Sequence, residues 1–519
     1  MVREVTAAVK RAHPPTVSKR NSSPTRIEPS CPRLHHRNRQ RFPGVGSVSP
    51  CRTFWRFSPT RFMRAVKAYA IILRALSGSG SSTLRLTGPL LKSGFLLGMG
   101  LGAAKLTTLL AHMLMTNLGG PVLYGTFALA LIPIGILTAV GLGGLHQSLI
   151  RFGVPLVQRG RPTTEFVRMF RRVTLLSVGA STVLAAGVTA LAPMIASEVF
   201  AKPEITVPMQ IMAVSLPFLV ALTMVSYAFR AFEEFWPDTA FRNLLRGVLL
   251  LTGVALFGLI LPPLNVTRVA WVFTGSAVLA AGLALAFFRI KIRSISHETA
   301  LQQPAPRSML RFGIIMTLGV ITHEIMMVTD RTLLGVFVST EEVGLYSGAA
   351  LFARQTEFGA LVVHGVLAPR LAGRTPPDRV DEATATVGKA IALMAAVYVI
   401  GVGICATLAP SLLGLLGDGF DEMSSEFTIL VAGFSLFSVT TPLSSYIQFR
   451  GRPEHDVLVE LLGAAVSAAL GLLLINTLGT LGAAIATATA LASISVARIF
   501  VFATTVRRRQ ESRPITPGD

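Results

Sequence analysis

The chain has 519 residues, of which 51% are hydrophobic and 14% are charged, whereas soluble proteins carry about 25% charged residues. A mean hydropathy of +0.60 excludes a single soluble domain and a disordered chain. Apolar blocks of roughly 18–25 residues recur along the sequence, the length that an α-helix needs to cross ~30 Å of hydrocarbon. The sequence therefore predicts an all-α polytopic membrane protein.

The net charge of +22 is concentrated in one segment. Residues 1–92 contain 18 Lys and Arg residues and two acidic residues. Residues 93–519 contain 30 Lys and Arg residues and 24 acidic residues. A basic tail suits the anionic surface of a bilayer, and no groove-reading domain follows it, which argues against a nucleic-acid partner. The three cysteines, Cys31, Cys51 and Cys405, are too few for a disulfide framework or a thiolate metal site.

Residues 1–92 are predicted to form a basic cytoplasmic tail. Residues 1–60 contain no apolar run, so no cleavable signal peptide is expected. Two interpretations remain open for residues 1–62: a disordered tail on the inner leaflet, or a translated upstream region that precedes the native start. The segment 64–76 predicts a short interfacial helix, because Lys67 and Arg74 lie seven residues apart on one face.

Twelve apolar segments follow, which we name spans 1 to 12. They cover approximately residues 94–116, 121–145, 173–197, 207–229, 243–262, 267–288, 311–337, 344–368, 387–411, 427–448, 457–475 and 480–503. The loops after even-numbered spans contain 20 Lys and Arg residues, whereas those after odd-numbered spans contain two, Lys202 and Arg268. By the positive-inside rule, both termini are expected on the cytoplasmic side of a plasma (inner) membrane.

Several spacings indicate an internal duplication. Leu-Tyr pairs at 123–124 and 345–346 are 222 residues apart, and Pro217 and Pro442 are 225 apart. Six spans plus six spans are typical of a duplicated transporter whose substrate path lies between the halves. We expect an N-lobe at 93–295 (spans 1–6), a C-lobe at 296–506 (spans 7–12) and a cytoplasmic tail at 507–519.

Cations inside the spans are candidate binding residues, because a charge at the bilayer centre normally faces a cavity or a partner. Lys105 and His112 of span 1 share one face, and Lys105 is expected to line a central cavity. Arg242 and Arg246, one turn apart in span 5, and Arg151 at the inner end of span 2 lie near the cytoplasmic mouth. The arginine side chain can bind phosphate oxygens in a bidentate geometry. The alternative for these three arginines is that they anchor the helix ends at the cytoplasmic membrane surface.

Acids inside the spans are candidates for coupling to H⁺ or Na⁺, because a lone buried carboxylate can exchange a proton or bind a cation. The candidates are Glu324 and Asp330 in span 7, Glu357 in span 8 and Glu460 in span 11. Structural salt bridges are the alternative. Arg354 is spaced to pair with Glu357 within span 8 and is also a candidate cation of the cavity.

The sequence resembles a known family at two joints, which are the connections between spans 1 and 2 and between spans 7 and 8. LGGPVLYGTFALA at 118–130 and TDRTLLGVFVSTEEVGLYSGAA at 329–350 resemble the polysaccharide-biosynthesis membrane proteins. These are oligosaccharide-lipid flippases of the multidrug/oligosaccharidyl-lipid/polysaccharide exporter superfamily. The resemblance covers roughly residues 94–506; the long basic tail departs from the family pattern.

The resemblance implies two six-helix lobes in a V around a central cavity. It also implies that a polyprenyl-pyrophosphate-linked oligosaccharide moves to the outer leaflet during synthesis of a surface polysaccharide such as lipopolysaccharide. Expected partners are the phospholipid bilayer, the lipid-linked oligosaccharide, a polysaccharide polymerase and glycosyltransferases. Lys105, Arg151, Arg242, Arg246 and Arg354 would then bind the pyrophosphate.

Two other functions stay open. A drug or organic-cation exporter of the same superfamily would present acids without a facing cation, so Lys105 argues against it. An enzyme acting on lipid-linked sugars generally needs a sizeable loop, and the longest outer loop has about fifteen residues. No GxxxxGK[ST] motif for ATP hydrolysis occurs, and no cofactor is expected. The glycan, the lipid carrier, the coupling ion and the oligomeric state are not predicted.

Overall fold

The computed structural model describes residues 88–158, 161–232, 234, 236–293, 306–363, 380–450 and 453–511. The predictions for residues 1–62 and for a helix at 64–76 lie outside the described residues. The described chain is almost entirely helical, which confirms the all-α prediction. It also contains one minimal antiparallel pair, β1 (Val157–Gln158) and β2 (Arg161–Pro162), in which Val157 pairs with Pro162 and Gln158 with Arg161.

The helices follow the order of the predicted spans. In the N-terminal half they are Gly88–Leu142 (spans 1 and 2), Leu145–Gly153, Thr164–Met194 (span 3), Thr206–Ala213 and Leu216–Ala231 (span 4), Asp238–Leu245 with Arg246–Ala255 and Leu256–Ile260 (span 5), and Val266–Ile292 (span 6). In the C-terminal half they are Pro306–Phe337 (span 7), Thr340–Ala353 (span 8), Val380–Leu413 (span 9), Ser424–Arg450 (span 10) and Pro453–Glu511 (spans 11 and 12).

Short turns lie between these helices, and residues 357–363 of span 8 are again helical. The turns are Val154–Leu156, Ile195–Val199, Pro203–Ile205, Arg354–Thr356, Gly414–Leu416 and Phe420–Met423. The last helix extends to Glu511 and therefore enters the segment that was predicted to be a C-terminal tail.

Each of the two longest helices breaks at a glycine. The backbone φ is 69° at Gly120 and 56° at Gly479, and this left-handed region is open to glycine at little steric cost. Both breaks fall between two predicted spans. By length and composition, seven described helical stretches could cross a membrane, or eight if Pro203–Ala213 and Leu216–Ala231 form one bent span. The stretches Gly100–Leu156 and Glu454–Arg507, each of which contains two predicted spans, count once each.

Local sequence signals fix where the helices begin. Ser339 opens span 8 with a capping box: its hydroxyl accepts from the Glu342 backbone N–H, and the Glu342 carboxylate accepts from the Ser339 N–H. Thr163 accepts from the Phe166 N–H at the start of span 3. Both satisfy donors that the first turn of a helix leaves unpaired.

The two halves of the chain touch through glycine backbones at both ends of the bundle. We call the end with the arginine-rich even-numbered loops the basic end, and the opposite end the acidic end. At the acidic end, a Cβ atom on Gly125 would lie only 1.9 Å from the Thr340 carbonyl oxygen. A Cβ atom on Gly344 would lie only 1.9 Å from the Pro121 carbonyl oxygen. The two Leu-Tyr joints of the predicted duplication therefore pack directly on each other; this is the acidic-end contact.

A second approach of this kind closes the basic end. A Cβ on Gly144 would lie 2.1 Å from the Gly313 carbonyl oxygen, and a Cβ on Gly313 would lie 2.9 Å from the Gly143 carbonyl oxygen. Gly143 and Gly144 both have positive φ, at 50° and 61°. This basic-end contact joins the end of span 2 to the start of span 7. The two halves are thus in contact at both ends of the bundle.

Candidate functional site

Lys105 faces the C-terminal half of the chain. Its side chain is exposed, and its electrostatic neighbours are Glu357 and Arg354 of span 8. Gly102, one turn earlier, approaches the same span, since a Cβ there would lie 3.7 Å from Phe358 Cζ. The structure therefore brings together three of the predicted residues, one from the N-terminal half and two from the C-terminal half.

The expected pair between Arg354 and Glu357 does not form. The α-helix ends at Ala353, and residues 354–356 wind as a 3₁₀ turn. Side chains three residues apart eclipse in such a turn, so the backbone permits the pair, but the two side chains do not form it. Within the described residues, neither Arg354 nor Glu357 lies within 4.0 Å of an opposite charge. With Lys105 they form a cluster of two cations and one anion, which we call the interlobe cluster.

The two predicted arginines of span 5 have different environments. Arg242 is held by the buried Asp238, whose Oδ1 lies 2.7 Å from Arg242 Nε and whose Oδ2 also accepts from Arg230. Arg246 has no such partner among the described residues. Its guanidinium lies over the Phe273 ring, 4.9 Å from the centroid, a cation–π contact that leaves its charge uncompensated.

Arg246 lies at the same depth as Lys105. Span 5 runs beside span 1 in the same direction, because Gly100 approaches Thr239, Gly247 approaches Thr107 and Gly258 approaches Leu118. This register sets Arg246 beside the residues that follow Lys105. His112 completes the region: it lies within electrostatic range of Arg246, and its buried Nδ1 has no hydrogen-bond partner in the part of the chain that the structure describes.

Arg151 lies elsewhere. It is exposed on the short helix Leu145–Gly153 at the basic end, and its guanidinium is 5.8 Å from the ring of the neighbouring Phe152. This position agrees with a residue at the mouth of the bundle.

Of the four predicted acids, Glu324 and Glu357 have no ion pair among the described residues. Glu324 is half-buried on span 7 and faces span 2 of the other half, since a Cβ on Gly135 would lie 4.0 Å from its Oε2. It therefore remains a carboxylate that a mobile cation could reach.

Asp330 and Glu460 are occupied by protein partners. The Asp330 carboxylate accepts from the Tyr346 hydroxyl at 2.9 Å and from the Arg331 backbone N–H at 2.7 Å. Glu460 Oε1 accepts from Arg498 Nη2 at 2.7 Å, and its Oε2 lies 3.2 Å from His323 Nδ1. Glu460 is therefore not the lone carboxylate that the sequence suggested.

Sequence reasoning missed Arg498, the centre of this buried network. The Arg498 side chain is 4% exposed; its Nε lies 3.8 Å from Asp456 Oδ1, and the Phe437 ring lies 4.4 Å from its guanidinium carbon. One signal could have found it, because an arginine within an apolar span requires a buried carboxylate. Its partner Glu460 lies 38 residues earlier, on the preceding span.

The fold is similar to that of solved membrane transporters, including members of the multidrug/oligosaccharidyl-lipid/polysaccharide (MOP) superfamily. The chain is similar to a lipid II flippase, MurJ, in an inward closed conformation, with a TM-score of 0.61 at 14% identity over 80% of this chain and 91% of that one. It is also similar to an outward-facing multidrug resistance MATE transporter, with a TM-score of 0.56 at 14% identity over 81% and 95%.

A third similar structure is a MOP superfamily transporter from Pyrococcus furiosus, described as having a binding pocket of reverse polarity. Its TM-score is 0.56 at 15% identity over 80% of this chain and 94% of that one. The family described as polysaccharide biosynthesis protein matches residues 90–372. The chain belongs to this family, which confirms the resemblance of the two joints. A search of curated proteins gives no match.

Proposed function

We propose that the protein is a flippase that moves a polyprenyl-pyrophosphate-linked oligosaccharide across the plasma (inner) membrane, with both termini cytoplasmic, for the synthesis of a surface polysaccharide. Its partners would be the enzymes that build and polymerise this glycan. The observation that carries the proposal is the interlobe cluster, in which Lys105 and Arg354 from opposite halves lie near each other around one carboxylate. Membership of the polysaccharide biosynthesis family and the similarity to a lipid II flippase support it.

The chemistry of the interlobe cluster suits an anionic head group. A pyrophosphate would supply the counter-charge that Lys105 and Arg354 lack, and charge-assisted hydrogen bonds of this kind are stronger than neutral ones. Arg354 can bind two phosphate oxygens at once, whereas Lys105 acts as a point charge. Because the two cations belong to different halves, a bound pyrophosphate would hold the halves together around the substrate. Glu357 would limit their repulsion when no substrate is bound.

Glu324 is the proposed site of coupling to H⁺ or Na⁺. It is half-buried, has no ion pair among the described residues and faces span 2 of the opposite half, so its charge state would affect how the halves approach each other. The same residue supports the second candidate function, export of an organic cation. The two candidates differ in which charge is essential, Lys105 and Arg354 in the first or Glu324 in the second.

Transport by reconstituted protein tests the proposal. Proteoliposomes carrying a fluorescent lipid-linked oligosaccharide would report flipping through quenching by an added reductant. Lys105→Ala and Arg354→Ala are each expected to lower the rate at least ~10-fold, the effect of losing one charge-assisted contact of about 1.5–3 kcal/mol. The control is Lys389→Ala, which removes an exposed lysine of span 9.

Wild-type flipping rates in both interlobe variants would refute the flippase mechanism. Efflux of an organic cation that depends on Glu324 and is unchanged by Lys105→Ala would establish the exporter instead.

A further inference from the structure

A groove with a volume of about 260 Å³ lies between spans 2, 3 and 7 near the basic end. Its wall is mainly hydrocarbon, contributed by Val140 and Gly143 of span 2, Leu176 and Ala180 of span 3, and Thr317 and Leu318 of span 7. Leu176 is 59% exposed and Leu318 57% exposed. Exposed leucines on membrane-spanning helices face lipid chains rather than water, so the groove opens toward the bilayer.

The groove lies directly on the basic-end contact. Gly143, which lines it, presents its carbonyl oxygen to Gly313. Thr317, also in the lining, donates its hydroxyl to the Gly313 carbonyl at 2.7 Å, and its Oγ1 would lie 2.9 Å from a Cβ on Gly144. Because the walls come from both halves, separating the halves at the basic end would dismantle the groove. A molecule bound in it therefore stabilises the closed basic end.

Two arginines extend the same face of span 3 toward the basic end. Arg168, Arg172, Leu176 and Ala180 follow one another at four-residue intervals, which places them on one side of the helix Thr164–Met194. Arg172 lies about 6 Å along the helix axis from Leu176. Both arginines are exposed, and within the described residues neither lies within 4.0 Å of an acid. Arginine side chains on this face tilt toward the helix N-terminus, which is the basic end.

We propose that the groove binds one chain of an anionic glycerophospholipid whose phosphate is held by Arg168 and Arg172, and that this lipid stabilises the basic-end contact. An apolar groove bordered by two uncompensated cations matches a molecule with a hydrocarbon chain and a phosphate. The N-terminal tail of this chain is a poor occupant, because its own net positive charge would oppose both arginines. The transported lipid is a different ligand, because its pyrophosphate would lie at Lys105 and Arg354, beside spans 1 and 8.

Photolabelling in nanodiscs tests this site on the full chain. The probes are phosphatidylglycerol and phosphatidylcholine that carry a photoreactive group on one acyl chain, and the labelled peptides are identified by mass spectrometry. Phosphatidylglycerol is expected to label residues 176–180 and 317–318 at least ~5-fold more than phosphatidylcholine, because each arginine near an anionic surface favours it about that strongly. Phosphatidylglycerol should also slow backbone hydrogen exchange at 140–145 and 313–318.

Variants separate this site from general contact with lipid. Arg168→Ala combined with Arg172→Ala should abolish the preference for phosphatidylglycerol, and Leu176→Trp should block labelling by filling the groove. The matched controls are Arg289→Ala, at the basic end of span 6, and Leu175→Trp, which alters a 62% exposed neighbour on another face. Both controls should leave the labelling unchanged.

Three results would overturn the proposal. Equal labelling by the two phospholipids would show ordinary annular lipid only, and labelling that survives both the arginine and the tryptophan variants would place the lipid elsewhere. Competition by a lipid-linked oligosaccharide would assign the groove to the transported lipid. This last outcome does not bear on flipping itself, which is measured separately with the Lys105 and Arg354 variants.

Discussion

Two regions within the membrane-spanning bundle differ in how their cations are compensated. In the N-terminal half, Lys105 and Arg246 have no acidic partner within 4.0 Å among the described residues, and the buried Nδ1 of His112 lacks a hydrogen-bond partner. In the C-terminal half, the most buried cation, Arg498, is bound to Glu460, which in turn lies against His323.

This difference separates residues that can serve a ligand from residues that hold the fold. A charge within the membrane-spanning helices that has no partner costs free energy, and binding of a ligand of opposite charge recovers part of that cost. A buried pair is already satisfied, so removing one member leaves the other uncompensated. The unpaired cations Lys105 and Arg246 should therefore affect transport, and the network around Arg498 should affect stability.

The largest expected effect is on the C-terminal network. Arg498→Ala leaves Glu460 and Asp456 buried without their shared cation, and breaking a buried ion pair in this way costs about 3–5 kcal/mol of unfolding free energy. Chemical unfolding in detergent micelles would measure it. Arg289→Ala, which removes an exposed arginine, is the control and should change the free energy by less than ~0.5 kcal/mol. An unchanged unfolding midpoint for Arg498→Ala would show that the network does not stabilise the fold.

The second-largest effect is expected at the acidic-end contact between the halves. Gly344→Ala places a Cβ 1.9 Å from the Pro121 carbonyl oxygen, and backbone atoms cannot yield as a side chain can. We expect a loss of about 1–3 kcal/mol of stability together with opening of the acidic end, measured as faster labelling of a cysteine introduced at the buried Val343. Gly388→Ala is the control, because nothing lies within 4 Å of its Cβ. Unchanged labelling would show that the two joints separate freely.

Arg246 and Arg242 give the sharpest test of the comparison, because they are one turn apart in one helix. Arg246→Ala removes the uncompensated cation and should lower the flipping rate by about tenfold, or about 1.4 kcal/mol, with little change in stability. Arg242→Ala weakens the hold on Asp238 and should lower stability with a smaller effect on rate. Proteoliposome transport and unfolding in micelles together measure the pair. If the two variants showed equal changes in flipping rate and in unfolding free energy, the distinction between an unpaired and a paired arginine would be contradicted.

Local patterns predicted much of the fold, and long-range contacts explain what was missed. The spans follow from hydropathy and could therefore be predicted from neighbouring residues, whereas the position of Lys105 in a central cavity stays a prediction. The link between His323 and Glu460 joins residues 137 apart, and no local spacing contains it. The Arg354–Glu357 pair was predicted from spacing alone, and spacing does not fix where two long side chains point; the pair is absent although the 3₁₀ turn aligns the two positions. The two Leu-Tyr joints suggested duplication, but their mutual packing depends on how the halves meet.

The smallest expected effect concerns Glu324, the acid that lies across from span 2. Glu324→Gln keeps the shape of the side chain but removes its charge, so a coupled transporter should lose its dependence on an imposed H⁺ or Na⁺ gradient while keeping most of its flipping without a gradient. We expect a change of about threefold in the gradient-driven rate, because one partly exposed charge contributes less than about 1 kcal/mol. Glu460→Gln serves as the contrast, since it alters a carboxylate already bound by Arg498 and should reduce stability instead. If gradient dependence survives in Glu324→Gln and disappears in a folded Glu460→Gln protein, coupling resides in the paired network, and the division between ligand-serving and structural charges fails.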